Sequence, residues 1–337
     1  MASSGSSISS SSKEVPSLAG LSVKTFYESQ RKAIAPFREN HLDLCTAFAQ
    51  SILDRKSHLL IQNLPKGNYC IFTTGSDGRL EKLSDKESPI ELVVYSSDSS
   101  DEETLLKLQE FIKGRNDFFP EIESKNKSSK LCETSGKIIP TRGLHSRFLA
   151  GDKKEYENYQ KELISQIKNM STKDYTTFKK NFVRSSMSSL FKSSKFELTE
   201  ALDLKNGIIY FDGKTFKKKA TKYSHLRSIQ YKLDKVICDH IRGKLSEKES
   251  FEFVSKMPAN INDLIDYLST NKLLDKISVE EKETLKKAYN LSLMYLHIAQ
   301  NIYVAMNKPI EIKIDESQLT EFQDNFTSTY KILQKIQ

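Results

Sequence analysis

The chain of 337 residues has no apolar run long enough to span a bilayer, and no unit of about 20 to 50 residues repeats along it. Those absences argue against a membrane-spanning helical protein and against a solenoid. Cysteine is scarce: Cys45, Cys70, Cys132 and Cys238 are scattered with no C-x-x-C spacing. This speaks against a zinc or disulfide framework and for reduced thiols in a cytosol. The six histidines form no H-E-x-x-H pair and no His-Asp dipeptide. No basic start with an apolar core opens the chain, so a cleavable signal peptide is not expected. Residues 2–12 are almost all serine, with glycine and alanine, and read as a disordered tail. Serine-rich uncleaved N-termini also occur in some secreted bacterial effectors, which stays open beside a cytoplasmic location.

The 37% apolar and 28% charged residues describe a soluble protein large enough for one large or two medium domains. Lysine dominates the 52 basic residues, and the net charge of +8 favours polyanionic partners. Because the charges alternate in sign, solvated lysine-rich helix faces account for most of that excess.

The most informative stretch is Tyr69-Cys-Ile-Phe-Thr-Thr-Gly-Ser-Asp-Gly-Arg-Leu-Glu81, followed by Ser88-Pro-Ile-Glu-Leu-Val-Val-Tyr95. It reads as strand, glycine turn, strand. Gly75 and Ser76 let the backbone approach a ligand closely, and Gly78 permits positive φ, so such a turn can cradle phosphates. Glu91 begins an otherwise apolar strand, where a carboxylate suits a metal ion held against a triphosphate.

Gly75-Ser-Asp-Gly-Arg-Leu-Glu81 resembles the G-[GS]-x-G-R-x-E turn of the protein-PII uridylyltransferases. The same turn occurs in the glutamine-synthetase adenylyltransferases and in nucleotidyltransferase-like proteins fused to CBS domains, within the DNA polymerase β-like superfamily. Two later stretches agree in order. Leu144-His-Ser-Arg-Phe-Leu-Ala-Gly-Asp152 is similar to the family's L-D-x-R-x-L-A-G-D segment. Asp203-Leu-Lys-Asn-Gly207 with His225-Leu-Arg-Ser-Ile-Gln230 resembles its D-x-K-x-G and G-L-R-D-I-E region. The likeness covers roughly residues 40–240. It departs from the pattern at two places: aligned through the strand, the first metal carboxylate becomes Pro89, and the aspartate of L-D-x-R becomes His145. Aligning on Ser84-Asp85-Lys86-Glu87 instead restores two carboxylates, in a charged loop.

The resemblance implies an α+β fold, with a small mixed sheet flanked by helices and then a helical bundle. It divides the chain into a tail (1–20), a nucleotidyltransferase-like α/β domain with a helical lead-in (21–152) and a bundle (153–337). The implied activity is transfer of a nucleotidyl group from UTP or ATP, with Mg or Mn, to a hydroxyl on a PII-like or other protein or on a small molecule. Gly75, Ser76, Gly78, Arg79, Arg147 and Lys205 would bind nucleotide, with Asp203 beside Lys205. Glu91 and Asp85 would hold metal, with Glu87 as a further catalytic carboxylate, while Glu81 braces the turn through Arg79 or a backbone amide. The alternative is a degenerate fold acting as a nucleotide-binding or protein-interaction module. A third reading, a basic helical nucleic-acid binder, lacks the aromatic-basic interleaving of single-strand binders.

Elsewhere the patterning predicts a helical lead-in over 23–56, broken at Pro36, with 59–64 extending it or forming an edge strand. It also predicts a helix over 98–112, an irregular excursion over 114–136 and a third strand over 137–147. Arg142 and Arg147 would then lie near the glycine turn, Arg147 pairing with phosphate or with Asp152. Helices are expected over 153–168, 173–196, 223–243, 249–256, 261–270, 279–306 and 316–336, with a short strand after Pro309. Caps are expected at Ser246, Asn260 and Ser278.

Overall fold

The computed structural model describes residues 41–64, 67–81, 92–97, 143–176, 208–211, 226–243, 245–306, 310–313 and 316–336. All of them belong to the compact unit Arg38–Gln337. The expectations for the tail, for 98–112, for 114–136 and for most of 173–196 lie outside the described residues, as do Asp85, Glu87, Pro89, Glu91, Arg142, Asp203 and Lys205.

Helix α1, His41–Asn63, buries Leu42, Cys45, Ala49, Leu53 and Leu60, one stripe at helical spacing. It takes in residues 59–63, which settles the choice between helix and edge strand in favour of the helix. Three strands follow, β1 (Cys70–Thr73), β2 (Leu92–Tyr95) and β3 (Arg147–Gly151), in the order β2-β1-β3. Both pairings are antiparallel, so the three described strands form an antiparallel sheet, where a mixed one was expected. The third strand also starts later than expected: Gly143 and Leu144 form a helical turn, and Arg147 opens the strand.

The central strand is apolar on both sides because both sides are covered. Ile71, Leu149 and Ala150 face Leu53 and Leu60 of α1, while Cys70 and Phe72 face Tyr159 of α2, Lys153–Asn169. Phe72 and Tyr159 have ring centroids 4.3 Å apart. The Gly151-Asp152 pair links β3 to α2. Gly151 has φ +92°, and a Cβ there would lie 2.3 Å from the Tyr69 carbonyl oxygen. Asp152 then caps α2 by accepting from the Lys154 N–H at 2.8 Å.

The second half is helical: α3 (Arg227–Gly243), α4 (Glu247–Ser255), α5 (Ile261–Thr270), α6 (Val279–Met306) and α7 (Glu316–Lys335). Ile229, Leu233, Ile237, Ile265, Leu285, Tyr289 and Leu333 are among its fully or almost fully buried side chains, continuous with Leu163 and Ile167 of α2. The expected caps form: Ser246 and Glu249 make a capping box, Asn260 accepts from the N–H groups of Asn262 and Asp263, and Ser278 and Glu281 bond reciprocally. Strand β4, Ile208–Phe211, pairs antiparallel with β5, Ile310–Lys313. Ile208–Phe211 thus pairs with a segment about 100 residues further along the chain. No helix of the described residues is long and apolar enough to cross a membrane.

Candidate functional site

The glycine stretch leaves β1 as a single helical turn, Gly75–Gly78, preceded by Thr74 in extended conformation. Its internal bonds are donated by Gly78, Arg79, Leu80 and Glu81, to Thr74, Gly75, Asp77 and Ser76. The N–H groups of Gly75 and Ser76 are not used by the turn itself, as at the start of any helical turn. Gly75 and Ser76 are both part-exposed.

Positive φ falls on Gly75 (66°) and Leu80 (58°), not on Gly78. Gly78 is needed for another reason: a Cβ there would sit 1.7 Å from the His145 carbonyl oxygen. The turn is thus pressed against the residue that precedes β3 by two. Leu80, a bulky residue in the left-handed region, reverses the chain and carries Glu81 inward.

Glu81 is 5% exposed and is the centre of a buried polar cluster. Arg79 donates to it from Nε at 3.0 Å, and the Tyr289 hydroxyl donates to its other oxygen. The Gln230 amide lies beside both, with one end 3.0 Å from Nε and 3.2 Å from Nη2 of Arg79. Guanidinium only donates, so the amide oxygen belongs at that end. His297 donates from Nε2 to the Glu81 carbonyl at 2.7 Å, leaving Nδ1 to face Cys45 Sγ at 3.5 Å. Burial works against the Arg79 charge, but Glu81, with Tyr289 and Asp234 behind it, outweighs that and holds the guanidinium above its ordinary value. Burial, then Glu81, push the Tyr289 hydroxyl well up.

Glu81 therefore braces the turn through Arg79, as expected from the sequence, and also fastens it to α1, α3 and α6. Arg147 donates from Nε to the Gly78 carbonyl at 3.2 Å and from Nη1 to Gln50 Oε1 at 3.1 Å. Its partner is the turn, not Asp152. Burial lowers its affinity for the proton, partly offset by Tyr156 and Asp54.

His145 is the next polar group against the turn. Its Nε2 lies 2.7 Å from Asp234 Oδ1 of α3, with the two side chains 1% and 4% exposed. Its Nδ1 is buried with no hydrogen-bond partner.

The structure thus brings Gly75, Ser76, Gly78, Arg79 and Arg147 together at one turn. Sequence reasoning passed over Asp234, Tyr289 and His297. A signal existed for the first: Gln230 and Asp234, four apart, interrupt a helix face otherwise made by Ile229, Leu233 and Ile237. Tyr289 and His297 read only as members of an apolar helix.

The resemblance implies a divalent cation, and the residues present can be tested against it. Among the described residues no group of three or more His, Cys, Asp or Glu is placed to hold one. Glu81 and Asp234 are bonded to protein partners, and His145 Nδ1 is buried without a hydrogen-bond partner. Comparison with protein-family models gives no match, and comparison with curated proteins gives no significant one.

Proposed function

We propose that the Gly75–Gly78 turn binds the phosphates of a nucleoside triphosphate and that the chain is a nucleotidyltransferase of the uridylyl- or adenylyltransferase type. One observation carries the reading. At the end of a buried central strand, a glycine turn keeps the N–H groups of Gly75 and Ser76 out of its own hydrogen bonds while the residues behind it are fixed. Backbone donors held in that way hold phosphate oxygens without reorganising.

In this reading Gly75 and Ser76 hold the β- and γ-phosphates, and Arg79 and Arg147 hold the turn in shape from behind. Lys205 and the carboxylates Asp85, Glu87 and Glu91 complete the sequence-based assignment. A divalent cation, when bound, neutralises phosphate charge during in-line displacement at the α-phosphorus. The acceptor hydroxyl bonds to that phosphorus as the bond to pyrophosphate breaks.

The test is calorimetric titration of the full chain with ATP and with UTP, each with and without Mg²⁺, beside Glu91→Gln. Metal-dependent binding that weakens at least roughly tenfold in the variant is expected; loss of a metal-binding carboxylate has costs of that order or larger. No binding of either nucleotide under any condition would overturn the reading.

A second reading has its own observation. Arg79, Glu81, Arg147 and Asp234 are all committed to protein partners, a state suited to a turn that binds and signals without transferring. Nucleotide binding that is indifferent to Glu91→Gln, with no nucleotidyl transfer to any hydroxyl, would select this regulatory module.

A further inference from the structure

We propose that Gln50 of α1 is a positioning residue of the nucleotide site: it holds the Arg147 guanidinium against the glycine turn without neutralising it, so that the positive charge is left to the phosphates of the ligand. The inference rests on the nucleotide reading above and adds the source of the attraction for the anion.

Two arginines support the turn, and the fold treats their charges in opposite ways. Arg79 is met directly by the Glu81 carboxylate at 3.0 Å. Arg147 donates to neutral acceptors, from Nε to the Gly78 carbonyl at 3.2 Å and from Nη1 to Gln50 Oε1 at 3.1 Å. Among the described residues no carboxylate pairs with it, although it is half-buried and burial already weakens its hold on the proton. A guanidinium so placed gains most from a carboxylate, through paired charge-assisted hydrogen bonds. An acid is close at hand. Asp54, one helical turn beyond Gln50, accepts from Gln50 Nε2 at 2.6 Å. The amide therefore stands between the two charges, its orientation fixed at both ends, because guanidinium only donates and carboxylate only accepts. Asp54 orients Gln50, Gln50 orients Arg147, and the acid is kept out of direct contact.

Arg147 lies where such a charge acts on the turn. Its backbone pairs with Thr73, the last residue of β1, and the chain enters the turn at Gly75 two residues later. The Gly78 carbonyl that accepts from Nε belongs to the other end of the same turn. A positive charge in that place adds to the N–H groups of Gly75 and Ser76 and attracts a polyphosphate through space, without having to touch it. Gln50→Glu would set a carboxylate against the guanidinium from the same backbone position and cancel the charge. An amide of the same size anchors it and leaves it whole.

The experiment is calorimetric titration of the full chain with ATP and with UTP in Mg²⁺, at low and at high ionic strength, comparing wild type, Gln50→Glu and Asp54→Asn, with urea unfolding of each. Gln50→Glu keeps an acceptor for Arg147 and pairs its charge. It should leave the urea midpoint no lower and weaken nucleotide binding about tenfold at low ionic strength, a loss that shrinks as salt screens the charge. Asp54→Asn keeps the acceptor for Gln50 and removes the acid behind it, so binding should tighten about twofold to fivefold. A relay that only maintained shape would not move binding in opposite directions with the sign of the charge. Gln50→Glu that binds nucleotide as tightly as wild type overturns the inference and leaves the nucleotide reading standing. So does a loss of affinity accompanied by a lower urea midpoint, and so does Asp54→Asn that binds no more tightly. Failure of every nucleotide to bind the wild-type chain overturns both. Should Gln50→Glu not fold, the exchange at the exposed Asp54 decides.

Discussion

Glu81 works at the scale of a single side chain. It lies at the end of a chain reversal through Leu80 and satisfies Arg79, which is itself buried to 14% exposure. Removing the carboxylate leaves a guanidinium charge in the interior without the carboxylate that bonds it. Glu81→Ala should therefore destabilise the protein by about 3–5 kcal/mol, measured by urea unfolding. Tyr289→Phe removes one donor to the same carboxylate and should cost less, about 1–3 kcal/mol. At Gly78 the limit is volume. A methyl group meets the His145 carbonyl, and backbone cannot give way as a flexible side chain can. Gly78→Ala should cost upwards of about 1–3 kcal/mol and displace the turn.

Tyr156 gives a pH dependence at the same scale. Burial pushes its hydroxyl up to about 12, with Cys70 reinforcing the rise and Ser146 and Arg147 opposing it. The hydroxyl donates to the Ser146 carbonyl at 2.9 Å. A phenol whose folded pKa exceeds its unfolded value near 10 contributes stability that is complete below about pH 10 and is lost as pH rises through about 12. Each tenfold gain in proton affinity on folding corresponds to about 1.4 kcal/mol. Unfolding free energy should fall across that window, and Tyr156→Phe should flatten the fall.

At the scale of elements, the caps locate helix starts and in one case tie helices together. Asn260 caps α5 through the Asn262 and Asp263 N–H groups and also donates from Nδ2 to Thr46 Oγ1 of α1 at 3.0 Å. Asn260→Ala should lower stability by about 1–2 kcal/mol in thermal or urea unfolding, since the cap and the cross-link go together. Asn260→Asp retains the cap acceptor and loses the donor to Thr46, so it should recover part of the loss. The sheet shows the same economy of position. Alternation along Cys70–Thr73 sends Ile71 toward α1 and Phe72 toward α2, and each helix offers its apolar stripe in return.

At the scale of the molecule, the turn-bearing sheet and the helical half share one buried polar cluster. Arg79 and Glu81 come from the turn, Gln230 from α3, Tyr289 and His297 from α6, and Cys45 from α1. Elements joined through groups that cannot be separated without exposing an unpaired charge unfold together. Urea unfolding followed by tyrosine fluorescence and by far-ultraviolet circular dichroism should give coincident transitions over the compact unit. Separate midpoints would mean that the cluster does not couple the two halves.

The described helices from Lys153 onward were legible because their periodicity and capping chemistry are local, and the ends of α5 and α6 coincide with those read from the chain. So were the strands at Cys70 and Ile310, the bracing of Arg79 by Glu81, and the convergence of Arg147 on the glycine turn. Local sequence did not contain the antiparallel order β2-β1-β3, the pairing of Ile208–Phe211 with Ile310–Lys313, or the start of the third strand at Arg147. Those depend on which distant strand supplies the complementary hydrogen bonds. The sequence also could not reveal why Gly78 is glycine, or that His145 meets Asp234 across 89 residues. Propensity and periodicity act within a few residues, whereas steric contact, burial of charge and the loss of a hydrogen-bond partner exist only once the chain has closed on itself.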